Sequence, residues 1–214
     1  MDVAQQETQQ RLGILGGTFD PIHIGHLCLA QAALEELHLS QILFMPAARP
    51  PHKQDRAVTS AQARMEMVQR AVADNPAFAV SDLELARSGP SYTVGTLAQL
   101  GRLYPDYQLV LIIGLDSLLD MASWHRPEEI LQSSHVAVAA RPGFSFQDIE
   151  ARLGSLFERY RSRIHFFSAP LLDISSTRLR ELVRRGRSIR YLTPDEVADF
   201  VRREGLYQEG NEGE

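Results

Sequence analysis

With 214 residues, 44% of them hydrophobic, the chain can bury a full core within one large domain. A net charge of −5 and a pI near 5.8 argue against a nucleic-acid partner held on a basic surface, and the single cysteine, Cys28, excludes an internal disulfide and argues against a cysteine-based zinc site. No stretch supplies a signal-peptide core or a membrane span, so the expectation is a cytoplasmic protein with no membrane and no nucleic-acid partner, its homo-oligomerisation left open.

Residues 1–10 are expected to form a polar, disordered tail, and 208–214 another. Between them, strands are expected at 12–16, 41–47, 78–85, 108–114, 135–141 and 164–169. Helices are expected at 24–38, 60–74, 93–103, 126–133, 147–160, 176–186 and 194–204. The strand segments are rich in Val, Ile, Leu and Phe with little polar alternation, as in strands covered on both faces of a parallel sheet. The alternation implies βαβ units and an α/β, doubly wound, Rossmann-like sheet of about six strands in one domain, 11–207. Segments near 48–59 and 141–147 carry Pro or Gly and read as surface loops. The arginine run from Arg178 to Arg190 reads as a solvated helix face.

The stretch GILGGTFDPIHIGHL, Gly13 to Leu27, joins the first strand to the first helix, at the carboxyl end where such sheets bind ligands. Three readings compete for it. Gly16 and Gly17 would let backbone N–H groups approach an anion, and the helix start adds unpaired donors and partial positive charge. His23 and His26 are one turn apart and can project from the same helix end. A metal site is the poorer reading, because no neighbouring carboxylate or cysteine completes the ligand set. An ordinary strand-to-helix turn is the third. The dinucleotide fingerprint G-x-G-x-x-G is absent, so hydride transfer is not indicated.

A second segment, ISSTRLR from Ile174 to Arg180, makes sense in the same terms. Ser175 is a plausible N-cap, Ser176 and Thr177 add hydroxyls, and Arg180 follows Thr177 by three residues with a fork suited to phosphate oxygens. Taken together, GGTFDPIHIGH and ISSTRLR resemble the paired signatures of the HxGH nucleotidyltransferase superfamily. Further segments, PPHK (Pro50–Lys53), PSYT (Pro90–Thr93), IIGLDSLLDMASWHRPEEIL (Ile112–Leu131) and ARPG (Ala140–Gly143), are similar to those of bacterial nicotinate-mononucleotide adenylyltransferases. The phosphopantetheine adenylyltransferases share the first signature but lack the Trp-containing segment.

The resemblance implies an adenylyltransferase that joins ATP to nicotinate mononucleotide, releasing pyrophosphate, in NAD biosynthesis. It implies ATP contacts at Gly16, Gly17, Thr18, Phe19, Ser175, Ser176 and Thr177, with His23, His26 and Arg180 acting on the transferring phosphates. It implies mononucleotide contacts at Lys53, Thr93, Asp116, Trp124 and His125. Asp116 would hold the ribose hydroxyls, Trp124 would stack on the pyridine, and Thr93 and His125 would grip the nicotinate carboxylate through backbone N–H groups. Each has a plainer reading: Lys53 a solvated lysine, Asp116 a helix cap, Trp124 a core residue. Many relatives carry Tyr or another aromatic at the position of His125. Arg141 is a weaker phosphate candidate, and His38, His135 and His165 read as structural. The nucleophile would be a phosphate oxygen already ionised at pH 7, so no general base is needed, and Mg²⁺ would ride on the ATP phosphates. The alternatives are a dual-specificity nicotinamide/nicotinate enzyme, a phosphopantetheine-type enzyme and a non-catalytic nucleotide sensor.

Overall fold

The computed structural model describes residues 9–48, 58–87, 91–140, 146–170 and 172–208. Six parallel strands form one sheet: β1 (Arg11–Gly17), β2 (Gln41–Pro46), β3 (Phe78–Val80), β4 (Gln108–Gly114), β5 (His135–Ala140) and β6 (Ile164–Ser168). Their spatial order is β3-β2-β1-β4-β5-β6, the doubly wound Rossmann order, with the chain reversing direction across the sheet between β1 and β4. That reversal opens a crevice at the carboxyl ends of β1 and β4.

The strands bury both faces, and successive residues divide between two cores. Leu15, Ile42, Phe44, Val110, Ile112 and Ala137 face one layer, while Leu12, Ile14, Leu43, Met45, Leu111 and Val138 face the other. Helices α1 (Ile24–Glu36), α2 (Ala61–Val72), α8 (Ser176–Arg184) and α9 (Asp195–Arg203) supply the first layer. Helices α3 (Thr93–Leu103), α4 (Leu115–Leu119), α5 (Pro127–Ser133), α6 (Phe146–Leu153) and α7 (Ser155–Tyr160) supply the second.

Four expectations change in detail. The third strand ends at Val80, because Ser81 Oγ accepts the Leu83 N–H at 3.2 Å and starts a turn. The helix expected over 147–160 breaks at Gly154, which takes φ 51° and divides α6 from α7. A short helix, α4, follows β4 directly, outside the expected helix ranges although Asp116 had a plainer reading as a helix cap there, with a 3₁₀ turn at Met121–Ser123. Gln10, placed in the expected tail, already accepts the Gln108 N–H at 2.8 Å beside β1. Among the described residues no helix is long and apolar enough to cross a membrane.

Candidate active site

The turn after β1 is built from beneath. Phe19 takes φ 49° and is fully buried, its ring edge-on to His26 with centroids 5.1 Å apart. A Cβ on Gly17 would lie 2.9 Å from that ring, so the glycine lets Phe19 fold under the loop as a pillar. A Cβ on Gly16 would meet no protein atom; the space it would enter is pocket. The Asp20–Pro21 peptide is cis.

His23 is the N-cap of α1 and is 6% exposed. Its ring stacks on His26, with centroids 3.7 Å apart. A Cβ on Gly25 would press on His23 at 3.1 Å from Nδ1 and 3.2 Å from Cε1, so the glycine between the histidines makes room for the first ring. His26 Nδ1 accepts the His23 backbone N–H at 3.2 Å, which leaves Nε2–H as the donor of a neutral His26. His23 Nδ1 is enclosed without a well-formed hydrogen bond, although the His23 side chain faces the His26 backbone N–H in a capping-box arrangement. A bare lone pair is less costly there than an unpaired N–H, so His23 also carries its proton on Nε2. Burial lowers the His23 pKa from 6.5 to about 4, keeping the ring neutral at pH 7. Two Nε2–H donors suit an anion and do not suit a cation.

The two sequence signatures meet in space. Ser175 caps α8 by accepting the Arg178 N–H at 3.2 Å, and Ser176 Oγ donates to the Pro21 carbonyl at 2.9 Å. Arg180 Nη1 donates to the Asp20 carbonyl at 2.6 Å, and Nη2 to Thr177 Oγ1 at 3.4 Å. A pocket of about 400 Å³ results, lined by Thr18, His23, His26, Ser175, Thr177 and Arg180 among others. A second pocket, about 420 Å³, is lined by Gly16, Gly17, Thr18, Thr93, Trp124 and His125 among others. Thr18 belongs to both, so the two cavities adjoin at the loop after β1.

Trp124 is half-buried against the second core, and part of it lines the second pocket. The Tyr92 ring, 40% exposed, lies 4.5 Å from that of His125. Thr93 begins α3, whose first-turn N–H groups are directed toward this end. Asp116 is exposed in the first turn of α4 and does not line the cavity, whereas Ser117 does. Lys53 and Arg141 lie outside the described residues.

Sequence reasoning missed four residues here. Arg64, 2% exposed, donates to the carbonyls of Thr18, Ala47 and Thr59 at 2.7–3.0 Å and fastens the loops behind the pockets. Its burial lowers its pKa, with Asp20 and Tyr207 opposing that shift. Thr193 Oγ1 donates to the Ile22 carbonyl at 2.7 Å, and the Leu192 carbonyl accepts the Ile24 N–H at 3.0 Å, bracketing His23. Glu84 lines the second pocket and accepts Thr96 Oγ1 at 2.7 Å. Asp20 is 4% exposed and accepts the Tyr207 hydroxyl at 2.7 Å. A charged residue at a buried position of an amphipathic helix, as with Arg64 in α2, was the signal available.

No group of three or more His, Cys, Asp or Glu side chains able to hold a metal occurs among the described residues. A divalent cation would fit this donor-rich pocket only as a companion of phosphates.

The cytidylyltransferase-like family model matches residues 14–182. A protein from Desulfitobacterium hafniense named as a probable nicotinate-nucleotide adenylyltransferase is 44% identical over 93% of this chain and 96% of its own length. One of the same name from Thermomicrobium roseum is 45% identical over 92% of each chain. Among solved structures, the Plasmodium falciparum nicotinic acid mononucleotide adenylyltransferase complexed with NaAD superposes with a TM-score of 0.72 at 20% identity, covering 92% of this chain and 97% of its own.

Proposed function

The chain belongs to the cytidylyltransferase-like family, and within it we propose the reaction of the bacterial relatives: adenylyl transfer from ATP to nicotinate mononucleotide, giving nicotinate adenine dinucleotide and pyrophosphate. The observation that carries this reading is the pair of pockets joined at Thr18. One is polar and lined by cationic and N–H donors, as a triphosphate requires. The other combines an indole, an aromatic pair and a helix start, as a pyridinium carboxylate requires.

The triphosphate lies in the first pocket, against the Nε2–H groups of His23 and His26, the hydroxyls of Ser175 and Thr177, and the free donors of Arg180. The mononucleotide lies in the second, its pyridine against Trp124 and its carboxylate toward the backbone of Thr93 and His125. Its phosphate then approaches the shared wall at Thr18, in line with the α-phosphorus. An ionised phosphate oxygen attacks, the bond to the bridging oxygen breaks, and pyrophosphate leaves with that electron pair. No proton must be removed from the nucleophile. Neutral His23, together with His26 and Arg180, stabilises charge as it moves onto the leaving group. Mg²⁺, carried by the ATP phosphates, would offset further charge. Lys53 and Asp116 complete the proposed mononucleotide contacts, and the reaction is assigned to the cytoplasm.

A panel pairing ATP or CTP with nicotinate mononucleotide, nicotinamide mononucleotide or phosphopantetheine tests this, read as pyrophosphate release. ATP with the acid mononucleotide should be the best pair. The amide should fall behind by about 10²-fold in kcat/KM, since its NH₂ would meet backbone donors. Equal rates with phosphopantetheine, or no turnover with the acid, would overturn the proposal.

A further inference from the structure

Asp20 poses a question that the reaction leaves open. Asp20 is among the residues that line the proposed triphosphate pocket, where a negative charge opposes the ligand, yet its side chain is almost wholly buried. Both oxygens are engaged. Oδ1 accepts the Tyr207 hydroxyl at 2.7 Å; Oδ2 accepts the Thr59 N–H at 3.5 Å and lies 3.9 Å from Arg180 Nη1. With its oxygens facing donors, the carboxylate is not presented as a metal ligand. It instead links the turn after β1, the start of the α2 segment and the arginine of α8.

Tyr207 reaches Asp20 from the far end of the chain, just beyond α9. It takes φ 64°, a left-handed conformation that a bulky residue adopts only when its surroundings hold it there. Its ring packs against the first core, and its hydroxyl also lies 3.9 Å from Met67 Sδ. Burial and the Asp20 charge raise the phenol's pKa, so it remains a donor throughout the working pH range.

We propose that Tyr207 is a positioning residue for adenylyl transfer: its hydroxyl fixes the Asp20 carboxylate, and Asp20 sets how far Arg180 reaches toward the ATP phosphates. Without the hydroxyl, the buried carboxylate lacks one donor and draws the Arg180 guanidinium toward itself, away from the triphosphate. The effect falls on ATP, because Arg180 lines the triphosphate pocket and not the mononucleotide pocket. This inference rests on the proposed placement of ATP.

The test is Tyr207→Phe, which keeps the ring and removes the donor, assayed with each substrate varied in turn. kcat/KM for ATP is expected to fall about tenfold, in keeping with loss of a hydrogen bond to a charged group, while KM for the mononucleotide stays within about twofold. In an Asp20→Asn background the same substitution should have little further effect. If Asp20→Asn is inactive, calorimetric titration of α,β-methylene ATP into the single and double variants makes the same comparison. Equal effects on both substrates, unchanged ATP kinetics with only a lower Tm, or fully additive effects of the two substitutions would overturn the proposal. Absence of turnover in the wild-type chain would instead refute the assigned reaction, and the nucleotide titration would still test the link from Tyr207 to Arg180.

Discussion

His23 makes acid sensitivity a quantitative signature of the site. Its ring is buried under the phosphate pocket, and burial lowers its pKa from 6.5 to about 4. The folded protein therefore binds this proton less tightly than the unfolded chain. Above pH 6.5 both states are neutral here and the group is silent; as pH falls from 6.5 toward 4, protonation favours unfolding. The full difference corresponds to ~3 kcal/mol, of which ~2.5 kcal/mol should already be lost at pH 4.5. Urea denaturation of wild type and His23→Gln at pH 7.5 and 4.5 measures it. His135 and His165, whose pKa values burial also lowers, contribute alike to both proteins and cancel in the comparison. The acid-induced loss should be smaller in the variant by ~2.5 kcal/mol. An equal loss in both proteins would refute the reasoning that His23 is held neutral by burial.

Arg180→Ala should lower kcat/KM by about 10²-fold or more with the circular dichroism spectrum unchanged, since it removes a proposed donor to the transferring phosphates. Trp124→Ala should raise KM for the mononucleotide far more than KM for ATP; equal changes would return the indole to a purely core role. Arg64→Met should cost about 2–4 kcal/mol in urea denaturation, because the Thr18, Ala47 and Thr59 carbonyls lose their common donor. A change within about 0.5 kcal/mol would show that water replaces the guanidinium.

The sheet was legible because its strands are short apolar runs buried on both faces, and α8 and α9 because their apolar residues keep to one face; α1 has almost no such pattern and was legible from the turn motif before it. Elements failed where local chemistry overrode the pattern: Ser81 ending β3, Gly154 dividing α6 from α7, and a five-residue α4 too short to show periodicity. The two signatures were legible as motifs, yet their mutual contacts were not. Ser176 with Pro21 and Arg180 with the Asp20 carbonyl join residues about 155 and 160 positions apart, which no local pattern encodes. The same holds for Tyr207 on Asp20. Phe19, expected among the ATP contacts, contributes its backbone to the turn while its ring supports His26 from below. Asp116 remains a proposed ribose contact, although its neighbour Ser117 is the one that lines the cavity.

The most direct measurement of the central claim follows the α-phosphorus of ATP. With α-phosphorus-labelled ATP, nicotinate mononucleotide and Mg²⁺, the label should appear in nicotinate adenine dinucleotide in step with unlabelled pyrophosphate. Label remaining in ATP, or released as AMP without dinucleotide, would contradict it.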